Sequence, residues 1–334
     1  MGSHRRLAPS GFDRGASAAL CTLSAAAAAL TAVPADAAPH RDTRAEVDRL
    51  YEEAERATQA YDKADERADA LRRQVRDAQE HIARRAQRVN TMRERLGSLA
   101  GAQYRSGGLD PAVALLLSDD PGDYLAKAAT LDRIGVQQEG RLRELRGELR
   151  QLAQERSRAA GKLAELERSR KAVDTHKRIV QRKLARARHL LNSLPADERA
   201  AYDRASRAGL PGPAGDVAPG ARAAAAVAAA RSALGRPYVW GASGPSGFDC
   251  SGLMQWSYAQ AGVHLPRTSQ DQRHAGRQVP LSQARPGDLV VYRADASHVG
   301  MYVGAGRVIH APHPGAPVRY DPVGMMPISS VTRP

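Results

Sequence analysis

The sequence predicts a long antiparallel hairpin of two coiled-coil helices followed by a small α+β domain. Three features predict it. Apolar residues recur at steps of three and four across residues 43–105, they do so again across 123–194, and a glycine- and proline-rich stretch follows at 209–220. Beyond that stretch the pattern changes to short apolar runs divided by turns, as strands require.

Residues 1–37 read as a leader. Arg5, Arg6 and Arg14 precede a small-residue apolar run at 16–33, and Pro34-Ala35-Asp36-Ala37 follows. This is the layout of a secretory signal peptide with an A-x-A site at Ala35 and Ala37. The run is short and alanine-rich, unlike a membrane span. Cys21 leaves with the leader, so the expected mature chain keeps one cysteine, Cys250, where cysteines normally pair. Such a thiol is paired between molecules, inert or reactive. The formal net charge of +14 calls for an anionic environment, nucleic acid, lipid headgroups or wall polymers. A secreted chain does not meet nucleic acid, which removes that partner.

The first helix is expected to pack through Val47, Leu50, Ala54, Ala57, Tyr61, Ala64, Ala68, Leu71, Val75, Ala78, Ile82, Val89, Met92, Leu96 and Leu99, with Arg85 interrupting the series. It would reach roughly 90 Å. The second repeats the pattern from Leu142 through Leu163 to Leu191. Two helices of similar length with matching seams give a hairpin over 38–205, with an elbow near 106–122. There Ser106-Gly107-Gly108 breaks the first helix, Asp110 and Pro111 start a short one, and Leu115, Leu116 and Leu117 form an apolar knob. The knob either caps the hairpin or docks a partner. A linker at 206–220 then joins the hairpin to a last domain at 221–334. It is short enough to keep that domain within about 20 Å of the helix ends. The domain can therefore fold back on the hairpin base, where docking would shield Cys250.

In the last domain Cys250 stands at the mouth of a helix that runs on through Met254 toward Ala261. Free backbone N–H groups and the helix dipole there favour a thiolate and can donate to an oxyanion. The thiolate needs a base. Strand-like runs at 299–303 and 307–311 flank the turn Gly304-Ala305-Gly306, which brings His298 and His310 together as base and orienting partner. His313 competes for the partner role, because hairpin register is uncertain by a residue or two. No metal site is expected: there is no H-E-x-x-H helix, and one cysteine makes no paired ligand set. No cofactor is expected either. Asp249 could simply cap the helix, and Tyr238 and Trp240 could be core aromatics.

The strings Arg236-Pro-Tyr-Val-Trp-Gly-Ala, Phe248-Asp-Cys-Ser-Gly-Leu, Leu265-Pro-Arg-Thr-Ser, Arg285-Pro-Gly-Asp-Leu-Val, Ser297-His-Val-Gly-Met-Tyr and Val308-Ile-His-Ala-Pro resemble the NlpC-type cell-wall peptidases. The resemblance implies a reduced papain-like fold, a cysteine-bearing helix packed on an antiparallel sheet that bears the histidine. It makes Cys250 the nucleophile, His298 the base and His310 its orienting residue. Tyr238 is placed beside the thiol, with Asp249 and Ser251 lining the acyl-donor side. The implied activity is hydrolysis of the bond between γ-linked D-glutamate and the following diamino acid in peptidoglycan stem peptides, by a secreted, wall-associated protein. More loosely, the rod and elbow resemble those of secreted septal hydrolases of actinobacteria, which implies recruitment or activation by a membrane or division partner. A wall-binding scaffold, a thiol acyltransferase or an N-acyl amidase would use the same fold, since attack of a thiolate on an acyl carbon is common to the enzymes among them.

Overall fold

The computed structural model describes residues 38–105, 113, 121–212 and 220–334. The expected signal peptide, the Leu115–Leu117 knob and most of the proline–glycine linker lie outside the described residues.

Two helices make the rod. Helix α1 spans Ala38–Arg105 and α2 spans Pro121–Ser193, so each is on the order of 100 Å long. Both begin with proline in the first turn, where a missing N–H costs nothing. They run antiparallel: Val47, Leu50, Ala54 and Ala57 pack with Val180, Leu184 and Ala187, while Ala68 and Leu71 meet Leu166 farther along. Arg85 fills its gap in the seam by pairing with Glu148 at 2.7 Å and Glu155 at 3.1 Å. Leu142 and Leu163 depart from the expected seam and remain exposed, because two helices bury only the stripe where they face each other. A third helix, α3 (Ala196–Arg207), carries Asp197 and Glu198 in its first turn and Arg204 and Arg207 in its last, matching the helix dipole. It folds back on α1, where the Tyr202 hydroxyl donates to Asp48 at 3.0 Å.

The C-terminal part is a six-stranded antiparallel sheet with order β1-β6-β2-β3-β4-β5. The strands are β1 (Arg277–Val279), β2 (Leu289–Tyr292), β3 (His298–Gly304), β4 (Arg307–His310), β5 (Arg319–Pro322) and β6 (Ile328–Arg333). Alternation decides its faces. Leu289, Val291, Val299, Met301 and Ile309 turn toward α4 (Ala221–Ser232) and α5 (Cys250–Gln260), and share a core with Ala226, Val227, Leu253 and Met254. Val290, Tyr292, Val308 and Val331 form the opposite face under Met325 and Met326. The cysteine-bearing helix therefore lies on an antiparallel sheet bearing both histidines. A short helix, α6 (Ser269–Gln272), flanks the cleft between them. Among the described residues no helix is long and apolar enough to cross a membrane.

Candidate active site

Cys250 is the first residue of α5, and Asp249 caps that helix by accepting from the Gly252 N–H at 2.7 Å. His298 opens β3 opposite Tyr292. The β3–β4 register pairs Met301 with Ile309 and Tyr302 with Val308, which carries His310 to the level of Gly300, next to His298 on one face. Glycine at position 300 eases this approach, because a Cβ there would come to 3.2 Å from the His310 Cβ, tighter than ordinary packing.

The two imidazoles meet directly, His298 Nε2 to His310 Nδ1 at 2.8 Å, and His310 Nε2 reaches Asp321 Oδ2 at 2.8 Å. Arg319 Nε donates to the same oxygen at 2.9 Å. This chain fixes the tautomers. Burial alone would raise Asp321, but His310 and Arg319 outweigh it and hold the carboxyl below its usual range. The ionised Asp321 accepts a hydrogen bond from His310 Nε2–H, which leaves His310 Nδ1 to accept from His298 Nε2–H. The free lone pair of a neutral His298 is then at Nδ1, on the side of Cys250. Burial keeps His310 neutral by lowering it to about 4, against the opposing pull of Asp321. His313 takes no part in this chain. It stacks on Tyr51 of α1 with ring centroids 4.8 Å apart.

Helix α1 lies across this cleft. Glu55 hydrogen-bonds His298 Nδ1 through one oxygen and Arg293 Nη1 through the other, the latter at 2.6 Å. Gln59 Nε2 lies 3.6 Å from Cys250 Sγ and donates to Ser251 Oγ at 3.1 Å, while Gln59 Oε1 accepts from the Ser269 N–H at 2.7 Å. Asp62 pairs with Arg267 at 3.1 Å. These residues follow one another at helical steps, so one polar stripe of α1 faces the whole cleft. Sγ of Cys250, a ring nitrogen of His298 and a carboxylate oxygen of Glu55 lie within 4.8 Å of one another, all three residues buried.

The thiol consequently behaves opposite to the expectation from its helix position. Burial under α1 and the negative charge of Glu55 push Cys250 well above its ordinary range. Glu55 itself is brought down to about 2, because His298 and Arg293 overcome the effect of its burial. The Glu55 carboxylate also occupies His298 Nδ1, the ring nitrogen left free by the contact with His310. As described, the site is assembled and blocked.

Of the residues expected at the acyl-donor side, Asp249 is both helix cap and ion-pair partner of Arg267 at 2.5 Å, fully buried. Ser251 accepts from Arg267 at 2.9 Å and faces Gln59. Tyr238 is buried close enough to Glu55 and Cys250 that their charges add to the effect of burial in raising its phenol.

The sequence profile of the NlpC/P60 family matches residues 235–331. A probable endopeptidase of Corynebacterium glutamicum is 42% identical over 141 residues, which cover 42% of this chain and 68% of the relative. The chain belongs to the NlpC/P60 family. A probable endopeptidase of Mycobacterium tuberculosis is 47% identical over 115 residues, 34% of this chain and 30% of that protein. The peptidoglycan endopeptidase RipA of Mycolicibacterium smegmatis is 44% identical over 113 residues, 29% of this chain and 23% of the relative. The chain thus spans about a third or less of the mycobacterial relatives it matches.

The sequence reading missed Asp321, Arg267 and Arg293 within this NlpC/P60 domain, and the Glu55–Gln59–Asp62 stripe of α1 outside it. Asp321 and Arg319 follow β4 in a strand with no apolar alternation to announce it. The α1 stripe is polar, so a search for hydrophobic periodicity assigns it to solvent.

Proposed function

We propose that this protein is a secreted, wall-associated cysteine endopeptidase that cuts peptidoglycan stem peptides at the γ-D-glutamyl–diamino acid bond. The observation that carries the reading is Cys250 at a helix N-terminus beside a His298–His310–Asp321 chain that engages Nε2 of His298 and leaves Nδ1 to take the thiol proton once Glu55 is gone. The naming of relatives as endopeptidases, one of them of peptidoglycan, supports the same class.

The chemistry follows from those atoms. With α1 withdrawn, His298 Nδ1 takes the thiol proton and Sγ attacks the γ-carbonyl carbon. The N–H groups at the start of α5 receive the developing oxyanion. The C–N bond breaks as His298 returns its proton to the leaving amine, giving a thioester on Cys250. Water, deprotonated by His298, releases the acid and restores the thiol. Asp321 and His310 keep the imidazole in the reactive tautomer throughout.

The test uses defined muropeptides and mass spectrometry. A full-length chain carrying Gln59→Arg and Asp62→Arg, which sets cations against Arg267 and the cleft, should expose Cys250 to iodoacetamide. It should also generate a new free amine on the diamino acid. Adding Cys250→Ala should lower turnover at least about 10⁴-fold with unchanged circular dichroism. A chain whose Cys250 alkylates readily but which cuts no stem peptide overturns the endopeptidase reading.

A further inference from the structure

Arg293 has no part in the chemistry above, yet the fold spends unusual backbone on it. It sits in the turn between β2 and β3 at φ 64, a left-handed conformation that costs a non-glycine residue on the order of 1 kcal/mol. Its N–H donates to the Pro327 carbonyl at 2.7 Å, and its own carbonyl accepts from Ala296 N–H at 3.1 Å, which fixes the turn. The guanidinium is aimed over the cleft beside His298, donating to Ser297 Oγ at 3.2 Å and to Glu55 at 2.6 Å, with Glu52 at 3.7 Å. It is largely buried while α1 is in place.

Withdrawal of α1 removes both carboxylates from Arg293 at once. A cation at the edge of a closed cleft then stands beside the reacting atoms without an anion, and what enters the cleft decides whether it regains one. The position of that anion is marked by Glu55. One oxygen of its carboxylate occupies the His298 Nδ1 site, where the leaving nitrogen must later collect its proton, and the other is on Arg293. An amino acid leaving from that site carries its own α-carboxyl carbon two bonds from the nitrogen. Of the carboxylates of the leaving residue it is the nearest to that nitrogen, and so the one whose spacing matches the Glu55 carboxylate. A cavity of about 250 Å³ between Glu55 of α1 and Arg293, Tyr238, His310 and His313 continues from the same point, and the side of it that remains when α1 withdraws gives the rest of the residue room.

We infer that Arg293 is a specificity-determining residue that binds the free α-carboxylate of the leaving amino acid, so that stems ending at that residue are preferred over stems that continue or are capped. The α1 stripe occupies the cleft as a mimic, with Glu55 in the place of this carboxylate and the Gln59 carboxamide beside the thiol. Gln59 supports that assignment chemically, because its side chain is itself a γ-glutamyl amide. The inference rests on the endopeptidase reading and on the direction of leaving that the position of His298 imposes.

The experiment uses the full-length Gln59→Arg/Asp62→Arg chain and three synthetic stem tripeptides. One ends in a free α-carboxylate, one has that carboxylate as its amide, and one keeps it free but has the distal carboxyl of the diamino acid amidated. The α-amide should lose about 10- to 100-fold in kcat/KM, mostly through KM, and the distal amide should lose little. Arg293→Gln in the same chain should bring the acid-to-α-amide ratio close to one by raising KM for the acid alone, and Arg293→Lys should restore part of it. A merely structural Arg293 would slow all three substrates alike. Equal rates on acid and α-amide, or a loss confined to the distal amide, overturn the assignment. Failure to cut any of the three by a chain whose Cys250 alkylates overturns the endopeptidase reading instead.

Discussion

The two ends of helix α1 contain the same kinds of residue and are packed differently. Over 47–71 one stripe meets α2 and a second, polar stripe is buried against the C-terminal domain, so that Glu55, Thr58, Gln59 and Asp62 are all covered. Toward the other end the helix has only its partner, and apolar side chains stay in water: Leu99 is 38% exposed, Tyr104 85%, and on α2 Val136 59%. A pair of helices can bury one stripe each. The additional burial at the base exists because a third element covers the opposite face. That third element is the NlpC/P60 domain, so what orders the rod's base is what blocks the cleft.

The comparison breaks most visibly at the stripe itself. Gln59→Arg with Asp62→Arg should accelerate alkylation of Cys250 on the order of 10³-fold, since each replaces a buried paired group by an opposed charge. Arg85→Ala, which removes the ion cluster farther along the same helix, should leave the alkylation rate unchanged. Equal acceleration by both would mean that the rod as a whole, rather than its polar stripe, holds the cleft closed.

Within the opened chain the histidines separate next. His310→Ala should reduce kcat about 10- to 1,000-fold and Asp321→Asn less, because His310 contacts the base and Asp321 acts through it. His313→Ala should leave kcat near the parent value and instead speed alkylation of the closed chain, because its ring contact is with Tyr51 of α1. The reverse ranking would move the orienting role to His313.

Stability reads the same contrast more weakly. Leu71→Ala, in the seam, should cost about 2–4 kcal/mol in denaturant unfolding, while Leu99→Ala should cost under about 1. Similar costs would show that the outer rod is as well packed as the base. The smallest effect is in pH. His310 is lowered by burial to about 4 from an ordinary 6.5, so between those values the unfolded chain binds the extra proton. The NlpC/P60 domain should therefore melt at rising temperature as pH goes from about 4 to 6.5, and lose that stability on the way down. A His310→Asn chain with the same slope would assign the titration elsewhere.

Local chemistry made much of this legible before any tertiary information. The long heptads announce two helices, the histidines twelve residues apart across a tight glycine turn announce neighbours in a hairpin, and Cys250 after an N-capping aspartate announces a thiol at a helix mouth. Each follows from spacing along one or two adjacent elements, where a period of 3.6 or 2 fixes which residues share a face. The same logic misjudged Leu142 and Leu163, whose seam positions face no partner.

The sequence by itself determined the two long helices, the nucleophile's helix, and which histidines could pair. Tertiary structure decided three things that no period encodes: that His310 and not His313 meets His298, with Asp321 behind it, that Glu55, Gln59 and Asp62 reach a cleft roughly two hundred residues away along the chain, and that the thiol beneath them is raised rather than lowered. The physical reason is common to all three. Hydrophobic periodicity reports which face leaves water, but polar groups commit to partners only when burial removes water as the alternative, and that burial is a property of the assembled fold.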